Sequence, residues 1–306
     1  MTQLRYLPDH KEIESDSTET ILQASIRSQI PHAHACGGNA RCSTCRVWIE
    51  EGLENCEPRN EKELVIAERM HFNPAIRLAC QTKPIGNIVL RRLVVDSEDE
   101  ELVIKHNSDR LFSMGEEKTI ATLFADIRGF TSFSEKLPAY DVVHVLNRYF
   151  QQMGRAINRN GGDINNYIGD GLMALFGLDN PNDAAINAVR AALDMLEAVE
   201  RLKPYLENVY TKSFEIGIGI HHGEAVIGAI GYDGAKRFTA IGDSVNFASR
   251  IESANKQAGT NLLISEETYK QVSDLVQTGK TVQVTLAGKS GEYRLYEVIR
   301  LKRPLD

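Results

Sequence analysis

Two aspartates stand where a fold could hold carboxylates still. Asp126 closes an apolar run, Thr119-Ile-Ala-Thr-Leu-Phe-Ala-Asp126, bounded like a buried strand. Asp170 occupies the Gly-Asp-Gly tip of Tyr167-Ile-Gly-Asp-Gly-Leu172, between two apolar segments, which is the pattern of a β-hairpin turn. A carboxylate at a strand end and another at a hairpin tip can converge on one point. Such a pair offers hard oxygen ligands suited to Mg2+ or Mn2+. Two such ions can clamp the attacking and leaving oxygens of a phosphoryl transfer. The plainer assignment makes Asp126 a helix start and Asp170 a turn filler.

A second group of reactive side chains lies earlier. Four of the five cysteines fall in Cys36-Gly-Gly-Asn-Ala-Arg-Cys42-Ser-Thr-Cys45 and at Cys80, and none follows. The first three sit in a loop of small residues whose backbone N–H groups can approach sulfur. Cys36, Cys42, Cys45 and Cys80 together resemble the ligands of a 2Fe–2S ferredoxin of the adrenodoxin type. A structural zinc site that draws in His32 and His34 is the alternative. Cys56 lies outside the pattern as an ordinary thiol.

These groups need elements to position them. Thr18 to Gln29 has helical spacing, with Thr and Glu as candidate caps. The acidic residues Glu50, Glu51, Glu54, Glu57, Glu61 and Glu63 read as a solvated face, or as a docking patch for a basic redox partner. Val142, Val145, Leu146, Tyr149, Met153 and Ile157 mark the core side of a helix stopped by Gly161-Gly162. Ile164 to Phe176 is the hairpin, and Ala184 to Leu202 a packed amphipathic helix. Phe214 to His221 and Ala225 to Ile230 read as two paired strands, with His221 and His222 as polar strand-end residues rather than metal ligands.

At 306 residues, 42% hydrophobic and 25% charged, the chain is globular and long enough for two domains. A net charge of −7 gives no electrostatic reason to expect nucleic-acid binding. No apolar run is long enough for a membrane span, and the start lacks the apolar core of a signal peptide. A cytoplasmic location is expected. The like-charge run Asp96-Ser-Glu-Asp-Glu-Glu101 marks a boundary. The expected division is residues 1–95, a connector at 96–117, and residues 118–306.

Phe124-Ala-Asp-Ile-Arg-Gly-Phe-Thr-Ser-Phe-Ser134, Tyr167-Ile-Gly-Asp-Gly171 and Arg237-Phe-Thr-Ala-Ile-Gly-Asp-Ser-Val-Asn-Phe-Ala-Ser-Arg250 closely resemble the catalytic core of class III nucleotidyl cyclases. The resemblance covers roughly residues 117 to 300. It implies an α+β chain in which a β-grasp 2Fe–2S ferredoxin domain, with Val47-Trp48-Ile49 and Ile88-Val89-Leu90 as strands, precedes a cyclase α/β sandwich with a ferredoxin-like βαββαβ core. It further implies that Asp126, Asp170 and the Ile127 carbonyl bind two Mg2+ or Mn2+ ions, that Asn246 orients a ribose, and that Arg250 stabilises charge on the α-phosphate. Asn246 and Arg250 share one face if their segment is helical. The family assembles each site from opposite subunits of a head-to-tail dimer, so a homodimer is expected. The implied reaction converts ATP to 3′,5′-cyclic AMP and pyrophosphate, with the cluster domain as a redox regulator served by a ferredoxin reductase or other redox partner.

The resemblance has departures. Asn166 stands where adenylyl cyclases usually carry lysine and guanylyl cyclases glutamate, though its amide can donate or accept. Its partner position, Thr239, can contact an adenine amino group and tilts the reading toward ATP. Ala287 stands where a triphosphate-binding lysine is common, and Lys289 is the candidate substitute. A weakened or silent cyclase-like dimer acting as a redox-responsive module, and a guanylate cyclase, are the alternatives.

Overall fold

The computed structural model describes residues 2–8, 10–16, 18–94, 115–135, 137–232, 235–286 and 291–302. The chain divides into two compact units, Met1–Gly115 and Glu116–Asp306. Residues 96–114 of the expected connector lie outside the described residues, as do Ala287 and Lys289.

The first unit is a five-stranded mixed sheet in the order β2-β1-β5-β3-β4, formed by β1 (Thr2–Leu7), β2 (Lys11–Ser15), β3 (Arg46–Glu51), β4 (Ile76–Leu78) and β5 (Ile88–Arg92). Strands β1 and β5 run parallel and every other pair is antiparallel. Alternation drives Leu4, Tyr6, Val47, Ile49, Ile88 and Leu90 into one core. Helix α1 (Ile21–Arg27) adds Ile21 and Leu22 to it and starts at a capping box between Thr20 and Gln23. Helix α2 (Glu61–Arg69) starts on the Asn60 side chain, which accepts from Glu63 N–H at 2.9 Å.

Glu63 departs from the expectation of a solvated acidic face. It is 0% exposed and forms a fork-on-fork ion pair with Arg77, itself 4% exposed, at 2.9 Å from both Nε and Nη2. The Leu78 N–H also donates to it, at 2.8 Å. A buried carboxylate survives when its lone pairs are this fully used. The bond clamps α2 onto β4, just ahead of Cys80. Glu50, Glu51, Glu54, Glu57 and Glu61 are exposed, as expected.

The second unit begins with β6 (Glu116–Ile127) and follows the order β6, α3 (Phe130–Ser134), α4 (Ala139–Arg159), β7 (Gly162–Ile168), β8 (Gly171–Phe176), α5 (Ala184–Tyr210), β9 (Ile216–Ile230). Neighbouring strands in the array β9-β6-β8-β7 are antiparallel, so the βαββαβ core is present. After it come β10 (Arg237–Ile241), α6 (Asp243–Ala258), β11 (Leu262–Ser265), α7 (Glu266–Val272), β12 (Val276–Thr285) and β13 (Glu292–Leu301).

Strand β9 is one 15-residue strand rather than two. It pairs with β6 along the whole length of β6, from Ile127↔Ile216 to Glu116↔Ile227, and this continuous partner carries it through Gly223. His221 is therefore an interior residue, buried with Nδ1 2.8 Å from Ser265 Oγ, not a strand-end one. The segment Ile216-Gly-Ile-Gly-Ile220 explains how the sheet is covered. Its isoleucines join the core shared with α4 and α5, and its glycines face the other side. There α6 lies directly on the strand: a Cβ at Gly217 would stand 2.7 Å from Glu252 Oε1, and one at Gly219 would collide with the α6 backbone at Glu252. Also on that second face, Met173 and Leu175 of β8 pack with Ala225 and Ile227 of β9 and Ala240 of β10. The far half of β9 and its partner β10 thus fold across β8.

Candidate functional site

In the first unit the cysteines meet in two pairs. The thiol of Cys36 interacts with that of Cys42, and that of Cys45 with that of Cys80. Within each pair the neighbouring thiol splits the acidities, holding Cys36 and Cys80 low and pushing Cys42 and Cys45 up. Gln81 Nε2 donates to Cys80 Sγ at 3.4 Å, and Thr44 Oγ1 lies 3.1 Å from Cys42 Sγ. Among the described residues no three His, Cys, Asp or Glu side chains gather closely enough to hold a single metal ion. A binuclear cluster instead asks for four thiolates shared between two irons, and two cysteine pairs suit that demand.

His32 is 3% exposed and both its ring nitrogens are engaged. Nε2 donates to the Cys45 carbonyl at 3.2 Å and Nδ1 faces Ser25 Oγ at 2.9 Å. Burial pushes its pKa down to about 4, so the ring is neutral near pH 7. His34 Nδ1 lies 2.6 Å from the His32 carbonyl. These bonds count against a zinc site that recruits the histidines. Cys56 is buried apart from the four, and burial raises its thiol to about 11.

In the second unit, β6 ends beside the β7–β8 turn, where Gly169 takes a φ of +63° ahead of Asp170. The turn brings the two aspartates into contact. Burial first, then the charge of Asp170, then a carboxyl–carboxyl hydrogen bond, push Asp126 up to about 6 against a lowering bond with the Ile127 backbone. Gly171 makes the approach possible, since a Cβ there would stand 2.9 Å from Asp126 Oδ1. Two carboxylates this close favour a cation between them. A hard, oxygen-only pair of this kind fits Mg2+ or Mn2+.

Two further groups face the pair that the motifs did not flag. Burial, then the charge of Asp126, raises Glu252 to about 7, with the Ser253 hydroxyl and then Arg128 pulling the other way. Tyr149 is fully buried on α4, and its hydroxyl has no hydrogen-bond partner among the described residues. Burial and the charges of Asp126, Asp170 and Glu252 push its pKa up. The alternating glycines at 217 and 219 are the sequence signal that could have placed Glu252 here, because they announce a helix lying on the strand.

Asn246 and Arg250 are one turn apart on α6, the first exposed and the second half-buried. The Arg250 guanidinium has no hydrogen-bond or ion-pair partner among the described residues. Thr239 sits on β10, which runs through Gly242 into α6. Its side chain is joined to Asn165, not to Asn166: Thr239 Oγ1 donates to Asn165 Oδ1 at 2.7 Å. Strand β7 has a bulge between Ile164 and Asn166, and Asn165 is the extra residue. The structure thus joins Asp126 to Asp170 and Thr239 to Asn165, and carries Asn246 and Arg250 on the helix that follows β10.

A sheet of this order with paired carboxylates at the end of its first strand defines a nucleotide-cyclase-type catalytic domain. Residues 112–299 match the adenylate and guanylate cyclase catalytic domain family, and the chain belongs to it. Residues 5–84 match the 2Fe-2S iron-sulfur cluster binding domain family. An adenylate cyclase of Anabaena cylindrica is 38% identical over 190 residues, covering 59% of this chain and 37% of that protein. Adenylate cyclase 1 of Rhizobium meliloti is 31% identical over 188 residues, covering 61% of this chain and 28% of its own length. The chain thus spans well under half of these curated relatives. Among solved structures, the guanylyl cyclase Cya2 superposes with a TM-score of 0.58 at 33% identity, covering 63% of this chain and 97% of that one. The adenylyl cyclase CyaB from P. aeruginosa gives 0.57 at 32% identity, with 62% and 98% covered.

Proposed function

We propose that the protein is an adenylate cyclase that converts ATP to 3′,5′-cyclic AMP and pyrophosphate, and that its iron–sulfur domain regulates it by redox state. The observation that carries the reading is the contact between Asp126 and Asp170 at the strand end. Asp126, Asp170 and the Ile127 carbonyl would hold two Mg2+ or Mn2+ ions, which when bound acidify the ribose 3′-hydroxyl and neutralise the triphosphate. The chain's own residues do the rest. Asn246 fixes the ribose through its amide, so that the 3′-oxygen faces the α-phosphorus. As the new P–O bond forms, the bond to pyrophosphate breaks and the hydroxyl proton is lost to water. Charge grows on the α-phosphate oxygens, and the Arg250 fork, which keeps its proton, is the matching donor. Asn166 and Thr239 contact the base, and Lys289 the triphosphate.

In this reading, as the family resemblance implies, the protein is a homodimer in which each site takes carboxylates from one copy and the Asn246/Arg250 helix from the other. Cys36, Cys42, Cys45 and Cys80 would hold the 2Fe–2S cluster, which supplies a one-electron redox couple, loaded by a ferredoxin reductase or another electron donor. Among the described residues no helix is long and apolar enough to cross a membrane, and the reading places the protein in the cytoplasm. Incubating purified protein with ATP and Mn2+, oxidised and dithionite-reduced, tests the proposal. Cyclic AMP should form at a rate that differs between the two states. No cyclic nucleotide from ATP or GTP in either state would defeat the enzymatic reading, and equal rates would defeat the regulatory one.

A further inference from the structure

The amide of Asn165 can be oriented without ambiguity. It makes two hydrogen bonds across to β10, one with the Phe238 carbonyl at 2.9 Å and one with Thr239 Oγ1 at 2.7 Å. A backbone carbonyl only accepts, so the Asn165 atom facing Phe238 is the NH2 group. The atom facing Thr239 is then the amide oxygen, which also only accepts. Thr239 must spend its single hydroxyl proton on Asn165. What remains on Thr239 Oγ1 is lone-pair capacity alone.

Asn166, next along β7, is different. It is half-buried, and its side chain has no hydrogen-bond partner among the described residues. A free amide meets an acceptor with its nitrogen or a donor with its oxygen, so it accommodates either kind of purine edge. Discrimination then falls on Thr239.

We propose that Asn165 sets nucleotide choice by fixing the Thr239 hydroxyl as an obligate acceptor, so that the site takes purines carrying a 6-amino group and rejects those carrying a 6-oxo group. This rests on the cyclase reading above. A 6-amino donor finds the lone pairs, whereas a 6-oxo oxygen would meet another acceptor and lose its hydration without replacement. The bulge at Asn165 is the device: without the extra residue the side chain would not turn toward β10. Asn165 is a positioning residue here, because it acts on the base through Thr239.

The test needs no variant at first. Wild-type protein with Mn2+ is assayed with four triphosphates: ATP and 2,6-diaminopurine riboside triphosphate, which share the 6-amino group, and GTP and inosine triphosphate, which share the 6-oxo group. Both 6-amino substrates should exceed both 6-oxo substrates by about tenfold in kcat/KM, whatever the 2-position carries. Asn165→Leu frees the hydroxyl to donate and should bring the ratio toward one. Asn165→Asp keeps an acceptor opposite Thr239 and should preserve the ratio. A structural role alone would lower all four rates together and leave the ratio alone. Inosine triphosphate used as well as ATP by the wild type, or an unchanged ratio in Asn165→Leu, would overturn the inference while the cyclase reading stands. No product from any of the four removes both.

Discussion

The two units solve the same problem, assembling four chemically demanding side chains, in opposite ways. In the first, three of the four cysteines come from one short loop and the fourth from just beyond β4, and all four meet within one chain. In the second, the carboxylate pair hangs at a strand end and a hairpin tip, while Asn246 and Arg250 ride on α6, and in the proposed dimer each centre draws the two groups from different copies. A cluster cage must exclude water and hold sulfur close, which favours a local loop. A cyclase must open to admit a triphosphate and release two products, which favours a site divided between surfaces that can part.

The sharpest way to break that contrast is to mix defective copies. Asp126→Ala and Arg250→Ala should each lose at least about a thousandfold in cyclase rate. Mixed in equal amounts and allowed to exchange, they should recover about a quarter of the wild-type rate, because half of the dimers regain one of two sites. No recovery despite demonstrated exchange would place the whole site within one chain.

The next effect tests whether the first unit is self-contained. Glu63→Ala strands the Arg77 guanidinium in the core and should cost about 3–5 kcal/mol. The melting transition of the iron–sulfur unit should fall steeply and its visible absorbance bleach earlier. A variant that melts like the wild type would show that the buried ion pair does not hold α2 in place.

The smallest effect probes the acid cluster of the second unit. Glu252 has its folded-state pKa raised from 4.5 to about 7, so folding must either keep its proton or bear its charge. The penalty is absent below pH 4.5, grows as pH rises, and is complete above about 7. After allowance for its partial exposure, Glu252→Gln should stabilise the metal-free protein by about 1 kcal/mol at pH 8 and not at pH 4. Thermal melts at the two pH values read this directly. An equal gain at both would assign the effect to packing instead.

Much of this was legible in the residues themselves. The strand ending in Asp126, the hairpin bearing Asp170 and the helix carrying Asn246 and Arg250 are local patterns, and each lies in its expected element. What was missed depends on partners far along the chain. Glu63 reads as one more solvated acid until Arg77 folds over it. Gly223 reads as a break until β6 supplies a partner on both sides of it. Asn165 and Asn166 look interchangeable, and only the register against β8 shows which one is bulged toward Thr239. Tyr149 counted as core, which it is, but its hydroxyl among the carboxylates is visible only in three dimensions.

The β7–β8 hairpin has one more consequence. It carries Asn165 and Asn166 on its rising arm and Asp170 at its crest, only about 13 Å further on. In the proposed dimer those residues belong to different reaction centres, since the carboxylates of one copy serve the centre whose base-facing residues come from the other. In that dimer the shortest covalent path from the base at one centre to the metal ligands of its twin would run through four residues of this hairpin. Independent firing of the two centres would then require that hairpin to bend freely between Asn166 and Asp170.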